Sequence, residues 1–190
     1  KRNWTRIFIA GDFGIQNATT FGIFGYYAPE KRYHQIASYY HNGREEGQKT
    51  VKEYVSDLKN FIRENMVMPE YIAIDPSAAP LRVELLKDEY FSRHNIRIIA
   101  AKNNVEIGIQ MVSYLLNINK FTLDPSCIHD IEEFGSYVWD SDKLDKGKEE
   151  VVKINDHAMD KIRYALMTDT TIHRTFDKEL KLFSGKGARE

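Results

Sequence analysis

A chain of 190 residues that is 42% hydrophobic and 29% charged has the composition of a globular domain with one core of ordinary size. No apolar run approaches the roughly 20 residues of a membrane span, and the start lacks a basic region followed by a signal-type apolar segment, so no membrane partner is expected. A single cysteine, Cys127, excludes an internal disulfide and any multi-cysteine metal site and reads as a small core residue, while a formal net charge of −1 neither demands nor excludes nucleic acid.

The chain opens at Lys1 and runs almost at once into "RIFIAGDFG", the pattern expected of a domain excised from a longer protein. That stretch, "TTFGIFGYYA" and "YHQIASYY" are short strands joined by short turns, an antiparallel meander. Val51, Tyr54, Val55, Leu58, Phe61 and Ile62 recur at helical spacing, and Pro69 closes that segment. "YIAID" reads as a strand ended by Pro76, Leu81 to Phe91 as a helix, and "IRIIAA" as a buried strand. A helix from about Val105 to Leu116, the strand "KFTLD" and a helical run from about Ser126 to Tyr137 follow. Strands alternating with helices pair in parallel, so the expectation is a mixed sheet with the meander at one side and βα units at the other. "YVWDSDKLDKGKEEVVKI" reads as a hairpin with Lys146 and Gly147 near its tip, "NDHAMDKIRYALM" as a closing helix. Residues 1–170 are expected to form one domain, and 171–190 a loosely held tail or linker.

The acids are the informative residues. Asp12 ends the first strand and Asp75 the fourth, each followed at once by a breaker. If those strands are neighbours, both carboxylates emerge at one sheet edge, where ligands enter. Taken singly, each equally fits a turn or cap. On the closing helix Asp156 and Asp160 are four apart and share a face, an arrangement that destabilises an isolated helix by roughly 0.2 to 0.5 kcal/mol. Asp156 or Asn155 fits an N-cap, but Asp160 lies past the first turn. Periodicity gives Ala158, Met159, Ile162, Ala165 and Leu166 as the core stripe and sets the acids opposite it, with Asp160 pairing Arg163. His157 fits a metal ligand, a proton carrier or a first-turn residue with no special role. An all-carboxylate set suits Mg²⁺ or Mn²⁺ better than zinc, and two such ions serve phosphodiester hydrolysis.

Three strands, then alternating helices and strands, with acids on the first strand, the fourth strand and a late helix, resembles the ribonuclease H-like fold. Within it, "IAGDFG", "YIAIDPSA", "FGSYVWD" and above all "NDHAMDKIRYALM" resemble the C-terminal nuclease domain of the large terminase subunit of tailed bacteriophages, over about residues 6 to 168. The resemblance implies an α/β fold with helices on both faces of the sheet and a β-hairpin, about Tyr137 to Ile154, beside the active site. It implies a metal-dependent endonuclease that cuts concatemeric viral double-stranded DNA during packaging, in the host cytoplasm and transiently at the procapsid. Asp12, Asp75 and Asp160 would hold two divalent ions, Mg²⁺ or Mn²⁺, with Asp156 as auxiliary ligand and His157 as a catalytic neighbour. Further implied partners are an N-terminal ATPase domain of the same full-length chain, the small terminase subunit and the portal protein. No G-x-x-x-x-G-K-[ST] occurs in the chain itself.

Duplex contacts are expected from Lys102, just after a strand, and from the hairpin residues Lys143, Lys146 and Lys148, with Arg82, Lys161 and Arg163 as further cations near the cleft. The competing readings are another ribonuclease H-like nuclease of the Holliday-junction resolvase type, a non-catalytic docking domain of the packaging motor, and an actin-like ATPase lobe, whose phosphate-binding hairpin "GDFGIQNATTFGIF" resembles. The last needs two lobes, and 190 residues leave no room for the second.

Overall fold

The computed structural model describes residues 3–14, 17–136 and 156–172. Among them are six strands: β1 Arg6–Asp12, β2 Ala18–Tyr27, β3 Arg32–Asn42, β4 Tyr71–Ile74, β5 Arg97–Ala100 and β6 Phe121–Leu123. The helices are α1 Val51–Glu64, α2 Ala79–Lys87, α3 Glu89–Arg93, α4 Val105–Asn117, α5 Ile128–Ser136 and α6 His157–Thr168. The segment expected as a hairpin lies outside the described residues.

The strands form one mixed sheet in the order β5-β4-β1-β2-β3-β6. The meander β1, β2, β3 is antiparallel, whereas β4 runs parallel to β1, β5 parallel to β4, and β6 parallel to β3. The meander therefore occupies the centre of the sheet and not one side as expected: α4 carries the chain from the β5 edge to the opposite edge, where β6 joins β3. Sequence pattern fixes that β6 is a strand but not which edge receives it.

Two further boundaries depart from periodicity. The helical run from Leu81 to Phe91 breaks at Asp88, whose backbone is extended and whose carboxylate caps α3 by accepting Tyr90 N at 2.9 Å. The strand β5 is apolar but not buried, with Arg97 and Ala100 exposed and Ile98 and Ile99 half-buried, because it is the edge strand.

Alternation along the strands sorts two cores. Phe8 and Ala10 of β1, Phe24 and Tyr26 of β2, and Tyr71 and Ala73 of β4 face one way, against Met111, Val112 and Leu115 of α4 and most of α6. Ile9, Phe21, Ile23, Ile72 and Ile74 face the other way, against α1, α2 and α3. The expected stripe of α6 is buried, but so are Lys161, Arg163 and Tyr164, because the helix lies on the sheet with α4 and α5 against its flanks. Ile172 belongs to the same core, so the packed chain continues past residue 170 into the start of the expected tail. Cys127 is fully buried.

Candidate active site

The period of two that buries Phe8 and Ala10 against α6 also directs Asp12 to that face, and the same register on β4 carries Tyr71 and Ala73 on to Asp75. Gly11 pairs with Ile74 and Ile74 with Ala100, so Asp12, Asp75 and Lys102 leave the sheet at one edge, at the carboxyl ends of three parallel strands. The first two turns of α6 lie over that edge.

Contacts between α6 and the strand acids complete the site. The Nδ1 of His157 donates to Asp12 Oδ2 at 2.9 Å, and the His157 carbonyl accepts from the Thr20 hydroxyl at 3.2 Å, which fixes the ring and the backbone together. The Tyr164 hydroxyl lies 2.8 Å from Asp75 Oδ2 and 3.4 Å from Asp160 Oδ2. Asp160 Oδ1 is held by Arg163, the expected i,i+3 pair, and that guanidinium is buried and also reaches the Asn104 carbonyl at 3.3 Å. Asp75 Oδ1 accepts Ser77 N at 2.9 Å.

The local field is that of clustered carboxylates in a poorly solvated place. Burial raises the Asp160 carboxyl above its ordinary value; Arg163 opposes this, and the charges of Asp12 and Asp156 add to it. The hydrogen bond to Asp12 raises His157, against the opposing effect of burial. Burial, then the charges of Asp160, Asp12 and Asp75, push the Tyr164 phenol up, so it stays protonated as a donor. Asp75 and Asp160 thus share one hydroxyl.

Asp156 occupies the N-cap position of α6 but makes no side-chain cap bond, which corrects the expectation of a capping role. Glu133 of α5 takes that role instead: its Oε2 accepts the amides of Ala158 at 2.7 Å and Met159 at 3.3 Å, a buried carboxylate at the positive end of the helix. Burial pushes the Glu133 carboxyl from its ordinary 4.5 up to about 7, despite those two amides. Because the folded value is the higher one, the folded chain holds the extra proton between these values, and the stability from this group falls as pH rises through that window. In urea unfolding followed from about pH 4.5 to about 8, the wild-type chain is expected to lose stability relative to Glu133→Gln, which does not titrate. Parallel profiles for the two proteins would show that Glu133 titrates normally.

The expected cations divide. Lys102 is exposed at the site edge, and its amide is fixed by the Thr168 hydroxyl at 2.9 Å. Arg82 is half-buried on α2. Lys161 and Arg163 are buried and engaged by acids, so neither presents a charge to a duplex; this overturns their placing among cleft cations. Lys143, Lys146 and Lys148 lie outside the described residues. Sequence reasoning missed Arg44, which donates to Asn17 at 2.8 Å and, with His157, lines a small cavity of about 60 Å³ at the site's flank. It also missed Tyr164 and Glu133.

The chain matches the family described as terminase RNAseH like domain over residues 12–168. The chain belongs to that family. It is 34% identical to the large terminase of a thermophilic bacteriophage, with a TM-score of 0.76, over 87% of this chain and 39% of that one. The terminase nuclease domains of bacteriophages P22 and SPP1 share its fold at 17% and 19% identity, with TM-scores of 0.66 and 0.61. Those matches cover 85% and 93% of this chain, and 80% and 88% of theirs. The chain spans about two-fifths of the length of the thermophilic phage's large terminase. No curated protein sequence matches it.

The terminase RNase H-like chain therefore carries its three strand and helix acids where the fold brings strand ends and a late helix together. Among the described residues no group of three or more His, Cys, Asp or Glu side chains is placed closely enough to hold a metal ion. The acids are linked through His157 and Tyr164 instead. The donor chemistry fits a hard divalent cation, since Asp12, Asp75 and Asp160 offer negatively charged carboxylate oxygens.

Proposed function

We propose that this protein is a divalent-metal-dependent endonuclease that cleaves concatemeric viral double-stranded DNA during genome packaging, by two-ion phosphodiester hydrolysis. The observation that carries this reading is that Asp12 and Asp75 end adjacent parallel strands at one sheet edge and α6 reaches them there, His157 contacting Asp12 and Tyr164 contacting Asp75 and Asp160, in a chain of the terminase family. The SPP1 domain has been solved with bound Mn and the corresponding nuclease of phage G20c with bound zinc, which supports divalent-ion chemistry here.

Asp12, Asp75 and Asp160 would hold the ions, Mg²⁺ or Mn²⁺, with Asp156, free of a capping bond, as auxiliary ligand. Bound there, such ions lower the pKa of a water and stabilise the departing 3′ oxygen. His157, tied to Asp12 through Nδ1, leaves Nε2 to handle a proton at the flank of the site. Arg163 offsets the Asp160 charge from below the site, and Lys102, with Lys143, Lys146 and Lys148 of the segment after α5, would meet the phosphates of the duplex.

The large terminase of the thermophilic bacteriophage, solved with ATP-gamma-S, extends well beyond its match with this chain. This supports an N-terminal ATPase domain in the full-length protein; the small terminase subunit and portal are proposed as further partners from the family resemblance alone. None of the described helices is long and apolar enough to cross a membrane. The site of action proposed is the cytoplasm of the infected host and, transiently, the procapsid.

Supercoiled plasmid incubated with the chain is expected to be nicked and linearised with Mn²⁺ or Mg²⁺ and left intact with EDTA. Cutting that persists in EDTA would overturn metal dependence. Intact plasmid under every condition, with no rise in melting temperature on adding Mn²⁺, would favour the docking-domain reading, since an ion that binds the folded state stabilises it by mass action.

A further inference from the structure

We propose that Tyr164 is a positioning residue whose hydroxyl, shared between Asp75 on the β4 loop and Asp160 on α6, sets the spacing of these two acids for a divalent cation. The inference rests on the metal-dependent reading above.

Three of the four carboxylate oxygens have a hydrogen-bond donor, and the fourth, Asp160 Oδ2, has the long contact to the same phenol. Asp75 Oδ1 takes Ser77 N, and Asp160 Oδ1 takes the guanidinium of Arg163. The second oxygen of each faces the same phenol, at 2.8 Å for Asp75 and 3.4 Å for Asp160. A hydroxyl has one proton, so the shorter contact is the hydrogen bond and the longer one a weaker electrostatic limb. Tyr164 thus links an acid on the sheet to an acid on the helix, two groups that would otherwise separate by repulsion.

The phenol itself has little freedom. Tyr164 is 3% exposed, and the Arg163 guanidinium lies 5.4 Å from its ring centre while also holding Asp160. Position 164 is one helical turn beyond 160, so the ring and the carboxylate share a face of α6. A hydroxyl fixed in this way holds the ligands ready before an ion arrives. Groups that hydrogen-bond metal-binding carboxylates from behind typically contribute about 10- to 100-fold in metal affinity.

The test is Mn²⁺ titration of the 190-residue chain, read by the electron paramagnetic resonance of free Mn²⁺, for wild type, Asp75→Ala and Tyr164→Phe. Wild type is expected to bind, Asp75→Ala to lose binding, and Tyr164→Phe to bind about 10- to 100-fold more weakly. Excess Mn²⁺ should then restore much of the plasmid cleavage by Tyr164→Phe, a split that simple loss of folded protein does not give. Failure of wild type to bind Mn²⁺ overturns the metal-dependent reading and this inference with it. Binding by wild type and Tyr164→Phe at equal affinity overturns this inference alone. Should Tyr164→Phe not fold, 4-aminophenylalanine at position 164 restores a donor: affinity within a few-fold of wild type is the expected result. A folded protein of that kind with affinity reduced 10-fold or more refutes the role.

Discussion

Alanine at Asp75 is expected to remove Mn²⁺-dependent plasmid cleavage, lowering the rate by about three orders of magnitude. A catalytic ion supplies several kcal/mol of transition-state stabilisation, and each 1.36 kcal/mol is worth about tenfold in rate. Asp75 lies one residue beyond β4 on a turn closed by its own side chain, and it contributes little to the core, so the variant should remain folded. Asp12→Ala should behave alike, with the added release of His157. The helix acids are distinguishable. Asp160 is partly buried and shares Tyr164 with Asp75, whereas Asp156 neither caps α6 nor contacts that hydroxyl. Asp160→Ala is therefore expected to match Asp75→Ala, and Asp156→Ala to lose about tenfold or less. The reverse ranking would move the main helix ligand to Asp156. Wild-type cleavage by Asp75→Ala would remove the strand acid from the mechanism altogether.

Much of this arrangement is legible in the sequence because alternation fixes both an element and a direction. The pattern that makes "RIFIAGD" a strand also settles that Asp12 lies on the side of Phe8 and Ala10, so the strand acids need only adjacent strands to meet. The place of β6 was not legible, since pairing with β3 depends on where α4 crosses the sheet. Nor was the environment of α6. A hydropathy stripe assigns Lys161 and Arg163 to solvent; the i,i+3 partner of Arg163, Asp160, is legible, but Asp130 and the Asn104 carbonyl, which also engage the two cations, come from α5 and the loop before α4. One signal was present: residue 161 lies three beyond Ala158 and four before Ala165, on the edge of the core stripe. Tyr164 was hidden for the opposite reason, because an aromatic on an apolar helix reads as filling when its hydroxyl faces two acids. The cap supplied by Glu133 is tertiary and leaves no trace near residue 156.

The brace beneath the active helix leads to the largest expected change in stability. Lys161 and Asp130 are both 0% exposed and meet at 2.6 Å; the ammonium also reaches Ser38 Oγ at 2.7 Å, and Gln35 Nε2 donates to the same Asp130 oxygen at 2.8 Å. Burial pulls the Lys161 ammonium below its ordinary value, against the attraction of Asp130. Lys161→Met leaves Asp130 charged and buried with one amide donor, which is expected to cost about 3–5 kcal/mol, or roughly 6 to 20 °C in melting temperature for a chain of this size. Asp130→Leu should cost a similar amount by stranding the ammonium. The double variant removes both charges and replaces them with apolar groups, so it should recover most of that loss. Urea unfolding of the four proteins measures the coupling. If the two single losses simply added in the double variant, Lys161 and Asp130 would not act as a unit. Lys161 follows Asp160 directly in α6, and Asp130 lies one turn before Glu133, so α5 holds the active helix both at its first turn and beneath its acid. The single variants are therefore expected to weaken Mn²⁺ binding along with stability, and the double variant to restore both.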